Sequence, residues 1–318
     1  MKIVVLDSYA LNPGDLSWKK LEALGEVTLY ERSKAEEVVA RARGAEIILT
    51  NKVPINAEAI AALPQLQYIG VMATGYNIID LQAAKARNIT VTNVPGYSTA
   101  SVVQLTFTLL LELCYRSQRH SDAVHEGRWA NSKDFSFWDY PLTELAGKTL
   151  GIIGLGSIGQ GVADVAAAFG MQVLAYSRTL TDQSQRRNFA WAVSPDEVFA
   201  QADVISLHCP QTPQTENIIN RDSLKHFKPS AILINTSRGG LIDAQALAEA
   251  LNEERIAGAG IDVLAVEPPP AEHPLMCVKN CIITPHIGWA TQEARSRMME
   301  LMSNNVQAFL NGKAINVL

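Results

Sequence analysis

The sequence contains neither a long apolar run nor a leader-like start. No apolar stretch reaches the length of about 20 residues that a membrane-spanning helix needs. The N-terminus lacks the apolar segment and small-residue cleavage site of a signal peptide, and residues 1–7 instead read as a first strand. We therefore expect a cytoplasmic protein that does not associate with a membrane.

Basic blocks and metal-binding cysteine patterns are also missing. Lys and Arg number 27 against 32 Asp and Glu, a net charge of −5, so phosphate-driven binding of nucleic acid is not expected. The four cysteines are scattered. Cys277 and Cys281 could form half of a metal site, but no second Cys or His pair lies at a matching spacing. We expect reduced thiols and no metal.

The chain is long, and strand-like and helix-like segments alternate regularly along it. Its 318 residues, 47% of them hydrophobic, are enough for two domains with sizeable cores. Strand-like segments alternate with helix-like ones up to residue 92, and the rhythm returns after residue 149. This alternation predicts an α/β fold with parallel sheets flanked by helices. Predicted strands include residues 3–7, 27–30, 47–50, 68–71, 90–92, 173–176, 204–207, 231–235, 259–263 and 281–284, and predicted helices include 15–24, 35–43, 57–62, 80–87, 160–169, 196–200, 221–226, 244–252 and 292–310.

A glycine-rich turn joins the strand that begins at residue 149 to a helix-like segment. The turn reads Gly154-Leu-Gly156-Ser-Ile-Gly159. Gly154 permits the tight turn, Gly156 lets a pyrophosphate approach the backbone, and Gly159 lets the helix pack on the strand. The first helical turn then directs free N–H groups and the positive end of its dipole at the phosphates. This pattern predicts a dinucleotide site.

Three predicted strands are followed by polar residues that a hydrophobic core would not hold. Arg238 precedes two glycines, and its guanidinium could grip a carboxylate or form a structural ion pair. Glu267 precedes a run of three prolines, as either a functional or a solvated carboxylate. His286 lies between Pro285 and Gly288, where a structural role is the alternative to a catalytic one.

The combination of these three residues favours catalysis. Ligands of open α/β sheets bind at the carboxyl ends of the strands, so Arg238, Glu267 and His286 should face one crevice beside the cofactor. A carboxylate next to an imidazole favours the protonated ring, which is then a proton donor near neutral pH. An arginine, an acid-supported histidine and a dinucleotide together suit the reduction of a keto acid.

The chain resembles the D-2-hydroxyacid dehydrogenases, within the branch of glycerate dehydrogenases and hydroxypyruvate reductases. The resemblance covers nearly the whole length. It is carried by motifs at residues 71–77 (VMATGYN), 93–98 (NVPGYS), 154–159 (GLGSIG), 207–210 (LHCP), 235–243 (NTSRGGLID), 262–264 (DVL), 267–268 (EP) and 285–288 (PHIG). It implies an NAD(P)-dependent oxidoreductase.

The resemblance implies a role for each candidate catalytic residue. His286 would protonate the carbonyl oxygen while hydride arrives from the nicotinamide, and Glu267 would orient His286 and hold its proton. Arg238 would bind the carboxylate and carbonyl of the substrate. Three backbone N–H groups would complete the carboxylate cradle, those of Ala73, Thr74 and Gly75.

The resemblance also implies the cofactor contacts. Asp262 would hydrogen-bond the nicotinamide carboxamide, and residues 208–210 would pass close to the ribose and phosphates, with Thr236 near the nicotinamide end. The implied cofactor-binding residues are Gly154, Leu155, Gly156, Ser157, Ile158, Gly159, Ser177, Arg178, Thr179, His208, Cys209, Pro210, Thr215, Thr236, Asp262 and Gly288.

The implied fold is two Rossmann-like lobes with the active-site cleft between them. Residues 1–98 and 288–318 would form a flavodoxin-like substrate-binding domain and residues 99–287 the dinucleotide-binding domain. Residues 99–145 would form a dimerisation arm, from which Trp138 reaches the neighbouring active site. The aromatic stretch at residues 128–140 fits this arm, because such a stretch in a long loop usually packs against its own subunit or against the other subunit of a dimer. We expect a homodimer.

One departure from the usual pattern bears on the cofactor. An NAD-specific site usually has Asp or Glu after the second strand of the cofactor domain, where it accepts from the ribose hydroxyls. This chain has Ser177, Arg178 and Thr179 instead. Arg178 could pair with a 2′-phosphate, so NADPH is expected to be favoured over NADH; the alternative is that Arg178 faces solvent and NADH is used. A second departure, Gln104 in place of a glutamate, leaves the chemistry unchanged.

The expected reaction is reduction of a short 2-keto acid, hydroxypyruvate or glyoxylate, to the D-2-hydroxy acid. Pyruvate, a branched keto acid or phosphoglycerate are alternative substrates, although no regulatory domain is appended before Leu318, which argues against a regulated phosphoglycerate dehydrogenase. Glu267 argues against a formate-oxidising relative, which needs no paired proton donor. An alternative of another class is a non-catalytic NAD(H)-sensing protein similar to corepressors of this fold, which often carry disordered tails.

Overall fold

A computed structural model describes residues 1–318, which form two compact units. The strands are β1 (Lys2–Val5), β2 (Glu26–Leu29), β3 (Ile47–Thr50), β4 (Tyr68–Val71), β5 (Thr90–Thr92), β6 (Thr149–Ile153), β7 (Gln172–Tyr176), β8 (Phe189–Trp191), β9 (Val204–Leu207), β10 (Ile232–Asn235), β11 (Gly258–Ile261) and β12 (Cys281–Ile283). The helices are α1 (Ser8–Leu11), α2 (Lys19–Glu22), α3 (Val38–Arg41), α4 (Ala57–Ala62), α5 (Leu81–Ala86), α6 (Thr99–Tyr115), α7 (Ser117–His125), α8 (Ser157–Ala168), α9 (Pro195–Gln201), α10 (Ala244–Asn252) and α11 (Gln292–Leu310).

The first unit consists of residues Met1–Ser98 and Trp289–Leu318. Its five strands are all parallel, in the order β2-β1-β3-β4-β5. Strands β3 and β4 are fully buried, as expected of apolar strands that are covered by helices on both faces. Helix α11 returns to this sheet and packs Met298 and Met302 into a core that also contains Tyr68.

The second unit consists of residues Thr99–Gly288. Its seven strands are also parallel, in the order β12-β11-β10-β9-β6-β7-β8. Helices α6 and α8 contribute to one core of this sheet and α9 and α10 to the other. The strand order reverses between β6 and β9, and such a switch point is where open α/β sheets bind ligands.

The predicted α/β class with two parallel sheets is confirmed. Several predicted bounds are wrong. The predicted helix over residues 15–24 is reduced to α2, because Asn12 fixes a turn by accepting from the N–H groups of Gly14 and Leu16, each at 3.0 Å. The predicted helix over residues 221–226 is a 3-10 turn at Ser223–His226. Strand β8 was not predicted from the pattern, since its three residues are exposed or half-buried.

The boundaries of the two units lie after Ser98 and after Gly288, and the assignment of one unit to the substrate and the other to the dinucleotide stays a prediction. Gly288 belongs to the second unit, where its N–H donates to Asp262 at 2.8 Å. All four cysteines are free, and no group of three or more His, Cys, Asp or Glu side chains is arranged to hold a metal ion. None of the helices combines the length and apolar character that crossing a bilayer requires.

Candidate active site

Three neighbouring strands of the second unit present the candidate catalytic residues. Arg238 follows β10, Glu267 lies in the loop after β11, and His286 follows β12. The first two loops run against each other, because a Cβ on Gly239 would collide with the backbone of Leu264. Parallel strands end at one edge of their sheet, so the fold collects all three loops there.

His286 and Glu267 form a hydrogen-bonded pair. Nδ1 of His286 lies 2.6 Å from Oε2 of Glu267. The other carboxylate oxygen of Glu267 accepts from the N–H of Leu264 at 3.0 Å, which fixes the acid. A carboxylate at Nδ1 selects the tautomer with hydrogen on that nitrogen. Nε2 makes no hydrogen bond within the protein, and the His286 side chain is 27% exposed, so Nε2 is accessible to a ligand.

Asp262 holds the loop that carries His286. Its carboxylate is only 2% exposed and accepts from the Thr284 hydroxyl at 2.6 Å and from the N–H groups of Ile287 and Gly288, each at 2.8 Å. Burial raises the pKa of Asp262, and these hydrogen bonds oppose the rise. With φ at +54°, His286 has a left-handed backbone that needs such support.

The three hydrogen bonds to Asp262 bear on its predicted contact with the nicotinamide. A carboxylate offers about four acceptor positions. One position therefore remains for a carboxamide donor, and the contact stays a prediction. The structure shows the Asp262 carboxylate bound to the two backbone N–H groups that follow His286, which restrains the loop carrying that residue.

Arg238 has no acidic partner. Its guanidinium makes one hydrogen bond, from Nη1 to the carbonyl of Ser237 at 2.7 Å. The turn beneath it is fixed, because Nδ2 of Asn235 donates to the carbonyl of Arg238 at 2.9 Å and Oδ1 accepts from the N–H of Ser237 at 3.0 Å. The ion pair considered from the sequence is not formed, so the remaining donors can grip a planar anion in two parallel hydrogen bonds.

The glycine loop lies at the switch point between β6 and β9. Gly154 has φ at +99°, and a Cβ there would lie 2.7 Å from the backbone N of Cys209. A Cβ on Gly159 would collide with the carbonyl of Gly154. Gly156, the N-cap of α8, is exposed and has open space where a Cβ would stand. The loop therefore leaves backbone N–H groups and room for a pyrophosphate, which fits a dinucleotide.

The ends of β7 and β9 flank this loop. Burial lowers the pKa of His208 to about 4, so its ring is neutral near pH 7, and Nε2 lies 2.8 Å from the Ser206 hydroxyl. Burial raises the pKa of Cys209 to about 11, and the positive charge of Arg178 opposes the rise. Arg178 therefore lies within electrostatic reach of the β9 end; it is exposed and forms no ion pair.

The remaining predicted site residues lie in the loops that follow strands or at the start of helix α8. Thr215 closes the turn after β9 by donating its hydroxyl to the carbonyl of Pro210 at 2.7 Å. Thr236 follows β10, and its hydroxyl lies 3.2 Å from that of Thr106. The remaining residues of the predicted sets are Leu155, Ser157 and Ile158 in the glycine loop and start of α8, Ser177 and Thr179 after β7, and, in the first unit, Ala73, Thr74 and Gly75 after β4.

Sequence reasoning missed the residues that support the candidate site. Asn235 and Ser206 are fully buried, at 0% exposure, yet they fix Arg238 and contact His208. Thr284 was missed as a partner of Asp262. A polar residue inside an otherwise apolar strand is the signal that could have identified the first two, since a buried polar group needs a partner.

The chain is similar to known proteins over its whole length. Residues 107–288 match the family of the D-isomer specific 2-hydroxyacid dehydrogenase, NAD binding domain. Hydroxypyruvate reductase of Blautia hydrogenotrophica is 48% identical, with 100% of this chain and 99% of the relative covered. Glycerate dehydrogenase of Methylorubrum extorquens is 41% identical, with 99% of this chain and 98% of the relative covered.

A solved structure has the same architecture. D-Lactate dehydrogenase from Aquifex aeolicus, complexed with NAD and lactic acid, is 30% identical with a TM-score of 0.84, and the match covers 98% of this chain and 96% of that one. The resemblance drawn from the motifs is thereby confirmed. The chain belongs to the D-isomer-specific 2-hydroxyacid dehydrogenase family and is a nicotinamide-dependent oxidoreductase.

Proposed function

We propose that this dehydrogenase reduces a short 2-keto acid, hydroxypyruvate or glyoxylate, to the D-2-hydroxy acid. The observation that carries the proposal is the 2.6 Å contact between His286 Nδ1 and the Glu267 carboxylate. A histidine held in this way can deliver a proton from Nε2 to a carbonyl oxygen. The substrate class is supported by the relatives, which are a hydroxypyruvate reductase and a glycerate dehydrogenase.

In the proposed mechanism His286 is the general acid. The nicotinamide, when bound, supplies the hydride. As negative charge develops on the carbonyl oxygen, the protonated His286 donates its Nε2 hydrogen to that oxygen. Glu267 stabilises the imidazolium before transfer and keeps the ring oriented throughout. After transfer the ring is neutral, with its hydrogen on Nδ1 facing Glu267.

Arg238 is proposed to bind the substrate rather than to transfer a proton. Its guanidinium always carries a positive charge, and its planar fork matches a carboxylate. The positive charge also stabilises the charge that develops on the reacting carbonyl. The backbone N–H groups of Ala73, Thr74 and Gly75 are proposed as further carboxylate donors.

The cofactor is proposed to be NADPH in preference to NADH. The glycine loop at residues 154–159 would hold the pyrophosphate, and residues 208–210 would line the ribose and phosphates. Arg178 is the proposed partner of the 2′-phosphate, because it follows β7, is exposed and has no acidic partner. Neither Ser177 nor Thr179 next to it would repel an anion.

Replacing Arg178 with alanine should weaken NADPH selectively. The dissociation constant of NADPH is expected to rise by about tenfold or more, and that of NADH by no more than about twofold, because only NADPH carries the 2′-phosphate. Titration of cofactor fluorescence measures both constants. Arg221→Ala removes another largely exposed arginine of the same unit, one paired with Glu249, and should change neither constant. Equal weakening of NADPH and NADH would remove Arg178 from phosphate recognition.

A survey of substrates tests the proposed reaction itself. Initial rates with hydroxypyruvate, glyoxylate, pyruvate and a branched keto acid, each with NADPH and NADH, should give the highest kcat/KM for one of the first two with NADPH. A higher value for pyruvate or the branched acid would reassign the substrate. Cofactor binding without turnover of any keto acid would instead favour a sensing role.

We also propose that residues 99–145 form the contact of a homodimer. Large apolar side chains are exposed along this arm, with Phe135 91% exposed and Trp129 and Trp138 more than half exposed. Exposed apolar groups of this size usually mark an interaction surface. The contact of Trp138 with a neighbouring active site stays a prediction.

A further inference from the structure

In the loop that follows β4 in the first unit, three backbone carbonyls are hydrogen-bonded within the protein and the N–H groups of the residues that follow them are not. We call residues 72–75 the carboxylate loop. Three successive carbonyls of this loop each accept a hydrogen bond from elsewhere in the unit. The donors are Asn51 Nδ2 for Met72 at 3.0 Å, the N–H of Val94 for Ala73 at 3.0 Å, and Asn93 Nδ2 for Thr74 at 2.7 Å. The N–H groups of Ala73, Thr74 and Gly75 donate to no acceptor within the protein.

Peptide planarity links these two facts. A carbonyl and the N–H of the next residue belong to one rigid, trans peptide group, so they point in opposite directions. Fixing the carbonyl of Met72 therefore fixes the N–H of Ala73, and fixing that of Ala73 fixes the N–H of Thr74. In the same way, the hydrogen bond from Asn93 to the Thr74 carbonyl fixes the N–H of Gly75.

Asn93 is itself held by two other asparagines. Its backbone carbonyl accepts from Nδ2 of Asn305, on α11, at 2.8 Å, and its N–H donates to the carbonyl of Asn316 at 3.3 Å. Nδ2 of Asn316 donates in turn to Oδ1 of Asn305 at 2.8 Å. Asn93 and Asn305 are buried, at 8% and 2% exposure, so these amides are restrained by packing as well as by hydrogen bonds.

We propose that Asn93, held by Asn305 and Asn316, is a positioning residue for the substrate carboxylate. It acts by presetting the direction of the Gly75 N–H in the carboxylate loop. Preset donors bind an anion more tightly because no reorganisation is needed when it arrives. An amide suits this position, since it can donate to the Thr74 carbonyl without adding negative charge beside a carboxylate. The inference rests on the proposed function, in which this loop binds the carboxylate.

Asn93→Ala tests the proposal by separating KM from kcat. Loss of the amide frees the Thr74 carbonyl, and the KM for hydroxypyruvate should rise by about five- to tenfold, the effect of one hydrogen bond. The inhibition constant of oxalate, an anion that is not reduced, should rise by a similar factor. kcat should stay within about twofold, and so should the dissociation constant of NADPH, because the proposed proton donor and cofactor residues belong to the other unit.

Two further variants separate positioning from folding. Asn316→Gly keeps the left-handed backbone at φ +54° and removes only an exposed amide, so it should fold and raise the KM by about two- to threefold. Ser303→Ala is the matched control on α11, because it removes a buried hydrogen bond to the Met299 carbonyl, at 2.7 Å, and leaves Asn305 in place. Its KM should equal that of the wild type.

The outcomes distinguish this inference from the function on which it rests. An unchanged KM in folded Asn93→Ala, or KM changes no larger than those of Ser303→Ala, overturns the positioning role while the wild-type reaction stands. If Asn93→Ala does not fold, an unchanged KM in Asn316→Gly is sufficient by itself to overturn the positioning role. A wild-type protein that reduces none of the 2-keto acids overturns the proposed function and this inference with it.

Discussion

His286→Ala is expected to lower kcat for reduction of hydroxypyruvate by about 100- to 10,000-fold, the range for loss of a general acid. The variant keeps the neighbouring Glu267 but has no group to carry a proton to the carbonyl oxygen. The dissociation constant of NADPH should change little, because the glycine loop and the residues after β7 are untouched. Initial rates at saturating substrate measure the first quantity, and fluorescence titration measures the second.

A histidine elsewhere in the same unit serves as the control for this variant. His226 is exposed at the end of a 3-10 turn, and His226→Ala should retain the wild-type kcat. Comparison of melting temperatures tests whether His286→Ala remains folded. A kcat for His286→Ala within a few-fold of the wild type would remove this residue from the mechanism and leave Glu267 without its proposed role.

The general architecture could be predicted because its causes are local. Apolar runs such as Ile47–Thr50 and Val204–Leu207 are buried on both faces, which is what a parallel sheet between helices requires. Two of the three glycines of the loop after β6 are required by local constraints, Gly154 by its positive φ and Gly159 by a close backbone contact. Gly156 has open space where a Cβ would stand, the space in which a pyrophosphate is predicted to lie. The conformation of such a motif is determined by its own residues, so the motif can be recognised from the sequence.

The contacts of Asp262 and Asn305 could not be predicted because they join residues that are far apart in the chain. Asp262 binds Ile287 and Gly288, and Asn305 binds the backbone of Asn93 across more than two hundred residues. Nothing in the spacing of these residues indicates that they meet. Arg238, Glu267 and His286 are also far apart in the chain, but each lies near the carboxyl end of a predicted strand, and that position is what made them candidates.

Short elements set another limit on prediction from the sequence. The periodic pattern at residues 15–24 favours a helix, but the side chain of Asn12 closes a turn just before it and only four residues become helical. Turn formation by an asparagine side chain competes directly with helix initiation. Helix α11 is long, with 19 residues, and its extent is predicted correctly. The side chain of Thr291 supports its start by accepting a hydrogen bond from the N–H of Ala294.

Arg238→Lys is expected to lower kcat/KM for hydroxypyruvate by about 10- to 100-fold, although the charge is kept. A lysine ammonium is a point charge and cannot make two parallel hydrogen bonds to one carboxylate. Loss of a charge-assisted hydrogen bond has an effect of this size. Most of the loss should appear in KM, because the proton donor pair of His286 and Glu267 is retained. Initial rates over a range of hydroxypyruvate concentrations separate the two parameters.

The absence of an acidic partner makes this variant informative. Replacing an arginine of a structural ion pair would alter stability as well as binding. The Arg238 guanidinium makes its one hydrogen bond to the Ser237 carbonyl and forms no ion pair, so the melting temperature should be unchanged. Arg255→Lys, at an arginine that pairs with Glu253, is the matched substitution outside the site and should retain the wild-type kcat/KM. Wild-type kinetics in Arg238→Lys would show that a single positive charge suffices for substrate binding. The proposal that Arg238 makes two parallel hydrogen bonds to the substrate carboxylate would then have to be withdrawn.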